Sequence, residues 1–541
     1  MKSSQSTTAE PAVPTLGTIG TWAMSLLHLH QRLAPHFARP EVRQHALLYL
    51  RAILSEIPRK NGWQIAEHAR EERPYGMQRL LWRAVWDQEG CRDELRALLR
   101  QALSPPPLVP ASAEHEPLYP VLVLDESGFP KRGRHWAGVA PQSCGVSGRV
   151  ENCQVGVFLS YVTERGHALI ERELYLPDDW CADLPRRRAA HIPDTLSFAT
   201  QPELAQRMVQ RAQAAGLPIR WVVAETVSGH RSDLRNWLEE QGYAHALAVP
   251  STEVVCVQTR AGLLLADVAS IAQRALRAQD WPRLSASQGT KGERRFDWAR
   301  LPLVHRGEVD GRHGLVFRRC LDDPHALAYY LVWAPADTPL SSMVRAIGAR
   351  WHIEEDLEVS KDLGLDQYEV RSSLGWYRHL TLVLLAYAFL VSICVQATRP
   401  LPAQALIALT PSEVRHLLAR LLWAAPTSAL LICQWSWWRR TPHYWAGYYH
   451  RRRRQKADSA SFSHARAFPS PRELPALARN SPGSLAGSSP GTFPDPFPAQ
   501  TSWENSRDFA RALQPHLFGE SLTEDSFGEG KLFSLLERVH L

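Results

Sequence analysis

The chain has 541 residues, a formal net charge of +7 and a sequence pI near 9.0. Its length predicts more than one compact unit, and a composition that is 45% hydrophobic and 22% charged is ordinary for a soluble globular protein. The eight cysteines are scattered without a Cys-x-x-Cys pair, which argues against a zinc site and a disulfide framework and fits a reducing cytoplasm. The positive charge suits a polyanionic partner without requiring one.

The first hundred residues are predicted to be mostly helical. Residues 1–16 are polar and lack the apolar core of a signal peptide, so we expect them to be disordered and the protein not to be secreted. Helical apolar spacing recurs through residues 17–102. Within this region, residues 63–83 fit a helix-turn-helix with Arg79 and Arg83 facing DNA, and they fit an ordinary three-helix bundle equally well.

Two apolar runs further along the chain each end in a carboxylate. Residues 119–124 lead to Asp125, and residues 219–224 lead to Glu225. Runs rich in Val and Leu without polar alternation are typical of central strands covered on both faces. A carboxylate at the C-terminal end of such a strand lies at the mouth of an α/β sheet, where ligands bind. With further strands and helices between and after these runs, the pattern predicts an α/β sheet of the ribonuclease H type.

A third carboxylate lies in a charged helical segment. As a helix, residues 350–361 place Arg350, Glu354 and Lys361 on one stripe, with apolar residues on a different side. On its own, such a stripe is more often a solvated face held by Arg–Glu and Glu–Lys pairs. Carboxylates that converge in a buried site require cations, however. Ligand sets made only of oxygen atoms suit Mg²⁺ or Mn²⁺, and a pair of such ions promotes displacement at phosphorus.

The charged segment also carries a recognisable spacing. Arg350-x3-Glu354-x6-Lys361 resembles the Tyr-x2-Arg-x3-Glu-x6-Lys signature of DDE transposases from a subgroup of bacterial insertion sequences. Ile347 stands where that signature has Tyr. The resemblance takes in the sequence Asp-Glu-Ser-Gly that begins at Asp125, the Gly229 turn, and GLDQYEVRSSLGWYRH further on.

The resemblance covers residues 20–450 approximately, with one departure that concerns chemistry. The family has Asp as its second acidic residue, usually followed three positions later by Tyr. This chain has Glu225 and Ser228 at those positions.

The resemblance implies a ribonuclease H-like catalytic core that is interrupted by a β-rich insertion and preceded by a helical DNA-binding domain. It implies that Asp125, Glu225 and Glu354 are the catalytic residues and hold two Mg²⁺ ions, for which Mn²⁺ can substitute. Arg350 and Lys361 would steady phosphates near the metals by charge rather than by proton transfer. Glu355 is a rival third ligand, although helix geometry turns it about 100° away from the stripe.

Further DNA contacts are expected in the insertion and near the C-terminus. Trp298 is either a ring that stacks on a flipped base or, more simply on its own merits, an aromatic of the insertion's core. Residues 434–456 interleave aromatics with six arginines and one lysine and contain no carboxylate, which favours DNA contact over a basic surface with its aromatics packed inward. The arginines singled out there are Arg439, Arg440, Arg451 and Arg452.

One apolar stretch could be mistaken for a membrane span. Residues 380–395 form sixteen uncharged positions, fewer than the ~20 needed to cross a bilayer. We therefore expect a buried core helix and no membrane association.

The function predicted from these features is two-metal phosphoryl transfer on DNA. Hydrolysis would free a transposon 3′ end, and the same site would join that 3′ hydroxyl to target DNA. The partners would be double-stranded transposon ends and target DNA, bound by a homodimer in a bacterial cytoplasm, in association with the nucleoid. The alternative is a transposase-derived DNA-binding protein with impaired catalysis, because Glu225 moves its carboxylate by over ~1 Å while Mg²⁺ demands near-ideal octahedral geometry.

The expected layout has eight parts. Residues 1–16 are expected to be a disordered N-terminus, residues 17–102 a helical DNA-binding domain and residues 103–118 a linker. The core is expected in two parts, residues 119–250 and residues 337–398 with the Glu helix, separated by a β-rich insertion at residues 251–336. Residues 399–456 are expected to be a basic-aromatic helical region, and residues 457–541 a mostly disordered tail.

Overall fold

A computed structural model describes residues 14–104, 120–145, 147–225, 232–289, 292–397 and 408–423, together with residues 449 and 452. The chain divides into two compact units, Met1–Arg451 and Arg452–Leu541. Of the second unit only Arg452 is described, so the elements below all belong to the first.

Helices fill the N-terminal region, as the apolar spacing predicts. Thr15 caps the first helix and Asp87 the fifth, each accepting hydrogen bonds from backbone N–H groups that the first helical turn leaves without partners. The third and fourth helices are the two members of the predicted helix-turn-helix, and Arg79 and Arg83 are exposed there. The helices are α1 (Leu16–Arg32), α2 (Pro40–Leu54), α3 (Gly62–His68), α4 (Tyr75–Trp82) and α5 (Gln88–Leu103).

The first six strands of the chain form the core part of the central sheet. They are β1 (Val121–Pro130), β2 (Ala140–Cys144), β3 (Arg149–Thr163), β4 (Gly166–Tyr175), β5 (Trp221–Ala224) and β6 (Ala244–Val249). On one side of β1, β3 runs antiparallel to β1 and β4 runs antiparallel to β3, whereas β5 and β6 run parallel to β1 on its other side. The order β4-β3-β1-β5-β6 is that of a ribonuclease H-type sheet, so the predicted fold class is confirmed.

Helices cover this sheet because its central strands are apolar on both faces. Residues 121–124 of β1 are at most 1% exposed, as are residues 222–224 of β5. The helices between β4 and β6 are α6 (Asp178–Ala182), α7 (Leu184–Ala189), α8 (Gln201–Ala214) and α9 (Ser232–Glu240), of which α8 packs against β3 and β4 and α9 against β6.

The insertion extends the core sheet instead of standing apart from it. Four of its strands continue the order as β6-β12-β11-β10-β9, which makes ten strands in all, while β7 and β8 form a separate two-stranded sheet. Pairing β12 with β6 covers an edge that would otherwise expose unpaired backbone groups. The elements are β7 (Val254–Thr259), β8 (Gly262–Asp267), α10 (Val268–Ala275), β9 (Arg283–Gly289), β10 (Gly292–Pro302), β11 (His313–Arg319) and β12 (Leu327–Trp333).

The chain returns to the core through helices α11 (Leu340–Gly348), α12 (Trp351–Asp362), α13 (Ser373–Ala397) and α14 (Pro411–Leu421). Helix α13 is long and apolar enough to cross a membrane by composition, but 83% of its apolar window is buried inside the protein. It packs against α2, α4, α5 and β4. A helix that is hydrophobic all round is typical of a protein core, and α13 occupies one here.

Candidate active site

Strand register places the first two predicted carboxylates side by side. Leu124 of β1 pairs with Ala224 of β5, and β5 ends there, so Asp125 and Glu225 follow directly on adjacent parallel strands. This is the carboxyl edge of the parallel part of the sheet, where ligands bind in α/β folds. The backbone N–H of Glu126 donates a 2.8 Å hydrogen bond to Asp125 Oδ1.

The electrostatic environment of Asp125 disfavours its charged form. Burial raises the pKa of Asp125 to about 7, and the neighbouring Glu225 adds to the rise. The hydrogen bond from Glu126 and the positive charge of Arg350 act against it. A carboxylate held in this way gains most from a cation placed next to it.

The third carboxylate reaches the same place through Arg350. Glu354 lies in the first turn of α12, one turn after Arg350, and its Oε1 is 3.1 Å from Arg350 Nη2. Arg350 Nη1 makes a close ion pair and hydrogen bond with Glu225 Oε1, and the Arg350 side chain is only 11% exposed. Arg350 therefore links Glu225 to Glu354 directly, and its charge also acts on Asp125.

The carboxylates of this cluster offer oxygen atoms only, which are the ligands that Mg²⁺ and Mn²⁺ prefer, and an arginine lies among them. Among the described residues, the groups of His, Cys, Asp and Glu whose ligand atoms all lie within 4.8 Å of one another do not include these three. Arg350 supplies part of the positive charge that the carboxylates require.

Comparison with protein families identifies this region. Residues 32–293 match the family described as DDE superfamily endonuclease. The chain carries a DDE superfamily domain. The prediction of a DDE transposase is confirmed at the level of the superfamily, and the bacterial insertion-sequence subgroup stays a prediction. The matched span contains Asp125 and Glu225 and ends before Glu354.

The other comparisons add little to the DDE assignment. No curated protein matches the chain significantly. A solved structure described as "Cryo-EM structure of piggyBac transposase synaptic complex with hairpin DNA" is similar over 79% of this chain and 83% of its own, at 12% identity and a TM-score of 0.36. The ribonuclease H-type assignment of the DDE domain rests on its strand order and not on this similarity.

The positions at which the chain departs from the transposase signature have different environments. Glu225 is partly exposed and bound to Arg350. Ser228 and Gly229 lie outside the described residues. Ile347, at the Tyr position, is 2% exposed and packs in the main hydrophobic core from helix α11. An apolar side chain at this position contributes to packing and offers no hydroxyl to the site.

Lys361 lies two turns after Glu354 on α12 and is partly exposed. Within the described parts of the chain, its ammonium group takes part in neither a hydrogen bond nor an ion pair. It can therefore meet an incoming phosphate without giving up an internal contact.

The stacking role considered for Trp298 is not supported, and this prediction is corrected. Trp298 is 0% exposed and packs against Phe296 and Tyr330, with ring centroids 6.2 and 6.4 Å away. Because neither face of its indole is open, a base has no surface there on which to stack. Trp298 is a core aromatic of the sheet.

A different tryptophan lies beside the carboxylates and was not predicted. The Trp351 ring is contacted by the guanidinium groups of Arg350, Arg294 and Arg318, whose centres are 4.8, 4.9 and 5.9 Å from its centroid. Trp351 is partly exposed. Its position next to Arg350 in the signature was the available signal, but the two arginines come from β10 and β11 and could not be placed from the sequence.

Glu126 is a second residue that the predictions passed over. Its carboxyl is next to Asp125 in the chain, and burial raises its pKa, with Glu225 contributing in the same direction. A hydrogen bond with Gln201 opposes that rise. The Asp-Glu pair at the end of an apolar run was the signal that could have found it.

The remaining predicted residues lie elsewhere. Glu355, the rival ligand, faces His352 and His167, with its Oε2 3.1 and 3.5 Å from their nitrogens, and shares no contact with Asp125. Of the C-terminal arginines, Arg452 is exposed, and the other three lie outside the described residues.

Proposed function

We propose that this protein is a DDE transposase that cuts the ends of a mobile DNA element and joins the freed 3′ hydroxyl to target DNA. Asp125, Glu225 and Glu354 are its catalytic carboxylates. The observation that carries the proposal is that Asp125 and Glu225 follow adjacent parallel strands at the carboxyl edge of the sheet, and that Arg350 pairs with both Glu225 and Glu354.

The residues present fit the metal chemistry of such an enzyme. Mg²⁺ ions, when held by Asp125, Glu225 and Glu354, would lower the pKa of a water molecule and stabilise the leaving 3′ oxygen. The donor atoms are all oxygens. Burial favours the neutral form of Asp125, and a cation bound next to it would favour the ionised form instead.

Arg350 then has two successive partners. It neutralises Glu225 and Glu354 in the protein alone. When phosphate enters, its guanidinium can bind two phosphate oxygens at once, a geometry that suits arginine. Lys361 adds a second positive charge on the same face of α12, and both residues orient the phosphate without accepting or giving a proton.

The partner inferred is double-stranded DNA. The net charge of +7 favours a polyanion, and Trp351 with its three arginines offers a ring face and positive charge next to the carboxylates. The exposed Arg79 and Arg83 offer phosphate contacts from the helical region. Two ends held together require a homodimer on DNA, and we place the reaction in a bacterial cytoplasm at the nucleoid.

A second candidate function is DNA binding with impaired catalysis. Its supporting observation is Glu225, whose longer side chain is paired with Arg350. An error of about 1 Å in the position of a ligand can cost about 10²-fold in rate. The two candidate functions predict different effects of Glu225→Asp on cleavage.

The deciding experiment measures cleavage of a labelled duplex that carries the terminal repeat flanking the gene, with Mg²⁺ or Mn²⁺. Glu225→Asp should raise cleavage in Mg²⁺ by up to about 10²-fold, and Mn²⁺ should partly rescue the natural protein. Asp125→Ala should abolish cleavage and leave DNA binding largely intact.

Each other result has a definite meaning. If the natural protein cuts as fast as Glu225→Asp, the site has adapted to Glu, and the impaired candidate is rejected. If neither form cuts while both bind the duplex, the transposase proposal is rejected in favour of a DNA-binding protein. Glu240→Asp, an exposed position on α9, is the matched control and should change nothing.

A further inference from the structure

A second group of metal-ligand side chains lies on a different face of the helix that carries Glu354. His352 and Glu355 project from α12, and His167 comes from the first residues of β4. One ligand atom from each lies within 4.8 Å of the other two. All three side chains are partly buried.

The nitrogens converge on one carboxylate oxygen. Glu355 Oε2 is 3.1 Å from His352 Nδ1 and 3.5 Å from His167 Nε2. In a tetrahedral zinc site with bonds of about 2.0–2.1 Å, neighbouring ligand atoms are separated by about 3.3 Å. Both observed separations lie close to that edge length.

A buried carboxylate fixes the orientation of His167. Asp356 is 0% exposed, and its Oδ1 accepts a 2.6 Å hydrogen bond from His167 Nδ1. Asp356 also accepts from the hydroxyls of Ser160 and Tyr387, so the acceptor is itself held in place. Because Nδ1 is the donor to Asp356, the other ring nitrogen, Nε2, faces Glu355.

This pattern is the one that proteins use to hold metal-binding histidines. A carboxylate that accepts from one imidazole nitrogen sets the tautomer and increases the basicity of the other nitrogen. In the absence of a cation or a second proton, the Nε2 lone pair would face a carboxylate oxygen at 3.5 Å, an unfavourable contact. A bound cation would convert that contact into two favourable ones.

We propose that His167, His352 and Glu355 form a transition-metal site that takes Zn²⁺. Two imidazoles and one carboxylate suit Zn²⁺, whereas Mg²⁺ prefers oxygen ligands alone. Three protein ligands leave a fourth position for water. The imidazole rings are stacked with planes 25° apart, so binding requires a small rotation of the His352 ring.

The site is distinct from the carboxylate cluster around Arg350 and has a different role. Glu355 interacts with His352, His167 and Arg294, and none of these is a predicted catalytic ligand. A metal here would join strand β4 to helix α12 and so restrain the helix that presents Glu354. We infer a positioning function, and its test does not depend on DNA cleavage.

The test uses the full chain after treatment with a chelator, with ZnCl₂ as the titrant in calorimetry and Co²⁺ as the spectroscopic probe. The natural protein should bind Zn²⁺ and give the visible absorption of tetrahedral Co²⁺. His352→Gln and Glu355→Gln should each weaken Zn²⁺ binding by about 10²-fold or more. Excess Mg²⁺ should leave Zn²⁺ binding unchanged.

Matched controls identify the ligands. Glu358→Gln changes an exposed carboxylate on the same helix and should bind Zn²⁺ as the natural protein does. Glu239, His305 and His313 form another candidate group, so His305→Gln is measured in parallel. Circular dichroism and Tm without metal show whether each variant is folded.

Two outcomes overturn the proposal. One is equal Zn²⁺ affinity in the natural protein, His352→Gln and Glu355→Gln, which would show adventitious binding only. The other is loss of Zn²⁺ binding in His305→Gln but not in His352→Gln, which would assign the metal to the insertion. Since Zn²⁺ binding is read without DNA, either result leaves the transposase proposal untouched.

Discussion

Two charged clusters on the same sheet shift a buried carboxyl pKa in opposite directions. On β1, burial and a neighbouring carboxylate raise the pKa of Asp125 to about 7. On β4, Glu171 is 0% exposed, yet its pKa is lowered to about 2, because four arginines outweigh the effect of its burial. Burial favours the neutral form in both cases, so the difference lies in the neighbouring charges.

The Glu171 cluster is balanced within the protein. Four arginines pair with four carboxylates, and Glu171 contacts all four arginines within 4.0 Å. The members are Arg92, Arg96, Arg172, Arg211, Glu89, Asp93, Glu171 and Glu173. Such a network joins α5, β4 and α8, and within the described residues its arginines and carboxylates are equal in number.

In the Asp125 cluster, Arg350 pairs with Glu225 and Glu354, and its charge also acts on Asp125. The pKa of Asp125 nevertheless stays above its ordinary value, whereas the arginines around Glu171 hold the pKa of that carboxyl below its ordinary value. Substitutions in the two clusters should therefore fail in different ways.

The largest expected effect is on catalysis. Asp125→Asn should reduce cleavage of a terminal-repeat duplex by more than about 10³-fold, because it removes a negative ligand from a set that acts as a unit. Its circular dichroism spectrum and DNA affinity should match those of the natural protein. Asp322→Asn, at an exposed loop position, is the control for the same chemical change. A variant that still cuts at a tenth of the natural rate would remove Asp125 from the catalytic set.

The next effect is on stability in the balanced cluster. Glu171→Gln should lower the free energy of unfolding by about 3–5 kcal/mol, because it leaves buried arginines without their shared partner. Urea unfolding at pH 7 measures the change. Asp194→Asn, which breaks the exposed pair with Arg188, should leave the urea midpoint unchanged. Equal midpoints for Glu171→Gln and the natural protein would show that the cluster is not what holds α5 to β4.

The smallest effect is the pH dependence of stability that Asp125 introduces. In chelator-treated protein, the native pKa of Asp125, about 7, exceeds the ordinary value of 3.8. The stabilisation that Asp125 gives to the folded state is therefore complete below pH 3.8 and is lost as the pH rises to about 7. Asp125→Asn should therefore gain stability relative to the natural protein over that interval, on the order of 2 kcal/mol after allowance for solvent screening.

Urea unfolding between pH 5 and 8 would measure that gain, and saturating Mg²⁺ should erase it by stabilising the ionised carboxylate of the natural protein. A constant difference between the two proteins across this range would show that Asp125 ionises at its ordinary pH.

Local sequence patterns were sufficient to assign the three carboxylates of the candidate site to particular strands and a helix. Asp125 and Glu225 could be placed because each ends an apolar run, and the ends of parallel strands meet at one edge. Glu354 followed from helical spacing within one segment. Arg350 pairs with Glu225 and Glu354 and its charge acts on Asp125, while the catalytic and metal-binding roles of the three carboxylates stay predictions.

The rest depends on contacts between distant segments, which local patterns do not contain. The sequence of the strand that contains Trp298 does not indicate which face of that strand is covered by other parts of the protein. The partners of Glu171 come from a helix before the sheet and another after β4. His167 and Glu355 are far apart in the chain, and the lack of Cys-x-x-Cys pairs bears only on zinc sites that are built from cysteines. The β2, β8 and β9 strands and helices α10 and α11 were also not predicted, since short elements carry little periodicity.

The continuous sheet has a mechanical consequence for the insertion. Five register pairs join β12 to β6, and β11 and β10 follow in unbroken order. A hinge between the insertion and the core would have to break this ladder of backbone hydrogen bonds. Arg294 and Arg318 therefore lie in the same continuous sheet as Asp125, so their distances from Asp125 cannot change much without breaking backbone hydrogen bonds.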